Sequence, residues 1–113
     1  MPFTMETARA RMLDAMKNAL PGQWAALRGC ANRALDEESA YLERLAQARL
    51  AGEVNDDVLA AALLDERDTL EAVMKVCEPP APELARAAAT AAIDAFAAAV
   101  RASLAPPRRA AAP

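Results

Sequence analysis

Residues 23–77 read QWAALRGCANRALDEESAYLERLAQARLAGEVNDDVLAAALLDERDTLEAVMKVC, and their interpretation decides the fold. Two strongly helical runs, Trp24–Ala51 and Asp56–Cys77, flank one break, Gly52-Glu53-Val54-Asn55. Gly52 suits the C′ position of the first run, because glycine enters the left-handed region at little cost. Asn55 suits the N-cap of the second, and Asp56 and Asp57 then sit where the helix dipole favours acids. A stop and a start so close together make the two helices antiparallel neighbours. The stretch is therefore a long helical hairpin.

The apolar seams follow from spacing. In the first run Trp24, Leu27, Ala31, Ala34, Tyr41, Leu45 and Ala48 form a heptad-like line, broadened by Leu35, Leu42 and Leu50 and interrupted by Glu38. Gly29 marks a kink or a close helix crossing. In the second run Leu59, Ala62, Leu63, Leu70, Val73, Met74 and Cys77 form the line, interrupted by Glu66. Arg67, Glu71 and Lys75 suggest a ladder of i,i+4 pairs. Folding the hairpin about residues 53–54 puts Tyr41 level with Glu66, with Glu38 a turn away. These three are the candidate polar core contact. The same folding sets Cys30 level with Cys77.

Outward from the hairpin, Thr4 caps a first helix over about 4–20, which Pro21-Gly22 ends. Met5, Met12 and Met16 lie along one side of it. Past Glu78-Pro79-Pro80-Ala81, Pro82 opens an alanine-rich helix over about 82–104, with Phe96 and Val100 on its apolar side. Residues 105–113 read as a disordered Ala/Pro tail. The expected fold is all-α: one domain over 1–104, an antiparallel four-helix bundle with helices near 4–20, 23–51, 55–77 and 82–104. The alternative is a three-helix core with the N-terminal helix loosely attached. At 113 residues the chain is long enough for one core without staples.

Composition restricts function. The net charge of −3 is unevenly spread, with eleven acids and three bases in residues 34–71. General nucleic-acid binding needs a basic face, so such binding is not the leading expectation. The chain has three glycines, too few for a phosphate-cradling loop, and no histidine to serve as the usual general base. Asp36, Glu37 and Glu38 lie on the first helix of the hairpin and Asp65, Glu66 and Asp68 on the second, but no Glu-x-x-His pair or matched carboxylate pairs accompany them. No catalytic, cofactor or metal residue is therefore assigned, and no cofactor is expected. The two cysteines lie in apolar stretches and are expected as reduced, buried thiols, with a Cys30–Cys77 disulfide as the alternative because the two fall level. The first twenty residues do not form a signal peptide, and no run approaches about 20 apolar residues, so the expected location is cytoplasmic.

What remains is binding to a protein. The expectation is a non-enzymatic helical interaction module, an adaptor, small chaperone or assembly component that binds a protein partner or associates with itself as a homodimer. Its expected contact residues are Met5, Met12, Met16, Phe96 and Val100, since methionine stripes suit adaptable helix-in-groove recognition. In outline, short helices around an acidic hairpin, the chain is similar to small bacterial secretion chaperones and small phage-encoded helical proteins. The alternatives are a small nucleic-acid-binding regulator using Arg9, Arg11, Arg28 and Arg33, and a carboxylate-metal hydrolase.

Overall fold

A computed structural model describes residues 3–77 and 82–104, with the side chains of Cys77 and Pro82 outside the description. The expected tail over 105–113 lies outside the described residues. Within them the chain forms α1 (Met5–Ala19), α2 (Trp24–Leu50), α3 (Asp56–Cys77) and α4 (Pro82–Leu104), and no strand. The fold is the expected all-α bundle. Its ends follow local chemistry. Thr4 accepts a hydrogen bond from the Thr7 N–H at 3.2 Å, and Asn55 Oδ1 accepts one from the Val58 N–H at 2.9 Å. These side chains satisfy N–H groups that have no partner inside the helix.

The turn between α2 and α3 sets the register. Gly52 takes φ +78°, and the N–H groups of Gly52 and Glu53 bond back to the carbonyls of Arg49 (3.1 Å) and Ala48 (2.8 Å). This is a Schellman closure, and it needs glycine at the left-handed position. Residues 53–54 therefore fold back along the last turn of α2, and the hairpin reverses about residue 52. Arg49 meets Asp56 at 2.7 Å, Glu38 hydrogen-bonds Glu66, and Cys30 Sγ lies 3.5 Å from the Met74 carbonyl oxygen. All three pairs are nearly equidistant from Gly52. The expected centre at 53–54 was too late, and the pairing is shifted by about one helical turn. Cys30 is also not a reduced thiol as expected, but disulfide-bonded; the Cys77 side chain lies outside the described residues.

Two further expectations for α2 are corrected. The helix is continuous across Gly29, and a methyl group added there would meet nothing within 4 Å, so Gly29 marks neither a kink nor a crossing. The heptad-like seam holds only in part: Leu27, Ala31 and Ala34 are buried, as are Leu35, Leu42 and Ala46 beside them, while Tyr41 is 37% exposed. The burial repeats from Ala31 to Leu42 and from Leu35 to Ala46, an eleven-residue step. A straight helix drifts away from a seven-residue repeat, and the longer step keeps its seam facing the core.

Each helix packs on its neighbours in the chain, and α1 closes the bundle against α4 in the most extensive of the helix contacts; the α3–α4 contact comes next. The alternative of a loosely attached first helix is thereby excluded. Both of these contacts involve α4. Ala85, Ala88, Ala89, Ala92 and Ala99 of α4 are buried and let neighbouring backbones approach. Glu83–Leu104 is, by length and composition alone, apolar enough to cross a membrane, contrary to the expectation that no run is. In this fold that apolar content packs against α1 and α3. Arg9 ties α1 to α2, meeting Asp36 at 2.6 Å and donating to the carbonyl oxygen and Oδ1 of Asn32.

Two substitutions test these assignments in urea unfolding. Gly29→Ala should raise stability by about 0.5–1 kcal/mol, because the added methyl group is unobstructed on an exposed helix face. Phe96→Ala should lower it by about 3–5 kcal/mol through the cavity left in the core. A destabilised Gly29→Ala protein would show that the glycine serves a close approach after all.

Candidate functional site

The expected contact residues do not form an outward surface. Met12 and Met16 of α1, and Phe96 and Val100 of α4, are fully buried, and Met5 is half-buried against the same core. Phe3 meets Phe96 edge to face, with ring centroids 6.0 Å apart. The methionine stripe and the apolar side of α4 are each other's partners. They face inward because α1 has one apolar side, and its most extensive contact is with α4.

Two features are less easily explained by core packing. The first is the polar layer between α2 and α3. Glu66 occupies a core position between Leu63 and Leu70 and is only 3% exposed, with Oε2 buried and receiving no hydrogen bond. Its neighbour is Glu38, half-buried on α2; Tyr41, the third residue of the expected contact, lies at the surface. Two carboxylates can only accept hydrogen bonds, so the pair is satisfied only when a proton lies between them. Burial, reinforced by the hydrogen bond to Glu38 and its charge, pushes the Glu66 carboxyl up to about 8. One turn on, Glu71 is also buried, but Lys75 and Arg86 each reach it at 3.0 Å. The Lys75 hydrogen bond, with the Arg86 charge, holds its carboxyl below the usual range. Arg67 is not part of the expected ladder and instead meets Asp68 at 3.4 Å.

The second feature is a groove of about 490 Å³ between α3 and α4. Leu59, Leu63 and Ile93 are buried in its floor, while Ala60 and Leu64 lie exposed at its edge, Leu64 by 57%. Asp56 and Arg101 stand at one end and Arg67 towards the other, with Asp94 and Ala97 between them on α4. Arg49 holds the Asp56 carboxyl below its usual range, and Arg101 contributes to this across the groove. Arg67 Nε is buried without a hydrogen bond. The sequence does carry a signal for this surface. Residues 58–64 are apolar without interruption, so α3 is apolar all round over two turns and has a second face to cover. Attention to the single seam of Leu59, Ala62 and Leu63 passes over Val58 and Leu64.

Among the described residues no three acidic or cysteine side chains converge as metal ligands. Of the basic residues considered for nucleic acid, Arg9 is engaged with Asn32 and Asp36, and Arg11 lines a hollow between α1 and the end of α4. Arg28 and Arg33 are exposed on α2. No protein-family model matches the chain, and no curated protein or solved structure is detectably similar to it.

The buried acid pair should dominate the pH dependence of stability. Below about pH 4.5 Glu66 is protonated in both folded and unfolded chains. Between 4.5 and about 8 the unfolded chain loses this proton and the folded chain keeps it, so stability falls by about 1.4 kcal/mol per pH unit. Above 8 the loss levels off. Glu66→Gln supplies a donor that needs no proton and should be more stable than wild type by about 3 kcal/mol at neutral pH, with little difference at pH 4. Urea titrations across this range check it; equal slopes for the two proteins would refute the shared proton.

Proposed function

We propose that the chain is a non-enzymatic helical interaction module whose working surface is the α3–α4 groove, not the outer sides of α1 and α4. The observation that carries this reading is the groove's make-up: an apolar floor and edge with charged residues at both ends, on a bundle whose other large side chains are mostly spent in the core. A helix with one apolar stripe fits a trough between two helices, its leucine-sized side chains entering the floor and its charges meeting the ends. Leu64 has the character of a contact residue, a large apolar side chain held by a rigid helix and half open to solvent.

The nucleic-acid alternative is weakened by the engagement of Arg9 within the fold. The disulfide at Cys30 weighs against the expected cytoplasmic placement, because cytosolic glutathione keeps thiols reduced.

A photo-crosslinking amino acid in place of Leu64, with the same group at Glu43 on α2 as control, tests the surface in the native cell. A discrete protein adduct from position 64 and none from position 43 is expected. Leu64→Glu introduced alongside a crosslinker at Ala60 should abolish the adduct while changing stability by less than about 1 kcal/mol, since the site is exposed. Absence of any adduct from positions 60 and 64 would overturn the reading.

A further inference from the structure

The groove's own residues define one occupant. We propose that the α3–α4 face binds the same face of a second copy of this chain, giving a two-fold dimer in which α3 lies antiparallel over α3 and α4 over α4. This rests on the groove being the working surface, as argued above.

The support is self-complementarity about a single centre. In a two-fold contact the same patch must serve both partners, so each group needs its complement equally far beyond the axis. On α3, Asp56 and Arg67 lie about equally far on either side of residue 62, and so do Ala60 and Leu64. On α4, Asp94 and Arg101 lie equally far on either side of residues 97–98. An axis crossing the groove there sets Asp56 against Arg67 of the other copy and Asp94 against its Arg101. It also places each exposed Leu64 over the small side chain of Ala60, a knob over a hole. Asp56 and Arg101 share one end of the groove, so the centres on the two antiparallel helices fall within about one turn, roughly 5 Å, of each other. Ala97 lies at the α4 centre, where a larger side chain would hold the two faces apart.

Three charge-paired or size-paired sets of positions, with centres within about one turn of each other, favour a second copy over an unrelated helix, which would need no such symmetry. The inner pair is the more telling one. Asp56 also has Arg49 beside it at 2.7 Å, whereas Asp94 and Arg101 are both exposed on α4. In the dimer these charges meet across the edge of an apolar contact, where they select orientation and partner.

Charge reversal with cross-complementation tests this. Wild-type protein should sediment as a dimer at micromolar concentration. Asp94→Arg and Arg101→Asp each set like charges against one another in a homodimer and should weaken self-association about tenfold or more. An equimolar mixture restores opposite charges at both contacts, so it should form a heterodimer with near wild-type affinity. Circular dichroism establishes that both exposed-site variants remain helical. Should either lose helicity, crosslinking of purified protein from Leu64 provides the second measurement, with the adduct expected on peptides around Ala60 of the other copy.

A wild-type chain that stays monomeric and gives no such adduct overturns the dimer. So does a mixture of the two variants that fails to associate. If the purified chain is monomeric but position 64 captures a different polypeptide in the cell, self-association is wrong and the groove reading survives. If neither experiment yields an adduct, both are wrong.

Discussion

Close approach to α4 is the constraint on which the bundle depends. Its buried face is largely alanine, interrupted by Ile93, Phe96 and Val100. Alanine allows neighbouring backbones to come near and loses no side-chain freedom on folding. The cost is volume, since alanine fills little of a core. The volume comes from the opposite side, where α1 contributes Met12 and Met16, Leu20 follows at its C-cap, and α3 contributes Leu63, Leu70 and Met74, all buried. Methionine suits such a surface because its unbranched chain fills irregular gaps. A stripe that could have served an external partner is thereby consumed in folding.

The acid pair between α2 and α3 works differently. An apolar pair in place of Glu38 and Glu66 would avoid the cost of holding a proton near neutral pH, so the carboxyls are not there for stability. A polar layer can instead select one register, because sliding the hairpin by a turn would part the two carboxyls that share a proton. Glu71 shows the contrast within the same helix: with Lys75 and Arg86 beside it, a buried carboxylate keeps its charge. The two sites differ in their neighbours, an acid from α2 at Glu66 and bases from α3 and α4 at Glu71, not in residue type.

Helix number, order and ends were legible because their signals are local. Thr4, Gly52 and Asn55 act through hydrogen bonds to residues within a few positions. The details that depend on three-dimensional packing were not. Placing the reversal at residues 53–54 overlooked the backward course of the chain after Gly52, and so paired Glu66 with Tyr41 instead of Glu38. A heptad-like line runs through Tyr41, whereas burial falls one residue on, at Leu42. The buried fate of Met12, Met16, Phe96 and Val100 was illegible for another reason: spacing reveals an apolar face but not whether it is covered from within the chain.

The groove follows from the same property that gives the fold its closeness. Alanine at 97 and 60 leaves the outer side of the α3–α4 contact shallowly filled, while the inner side is packed by Leu63 and Ile93. A larger residue at 97 would fill the trough and add buried area within the chain. Keeping alanine there leaves Leu64 exposed, and its apolar surface is covered only when something else supplies the missing volume. An alanine-rich α4 thus packs most extensively against α1 on one side and leaves Leu64 of α3 exposed on the other.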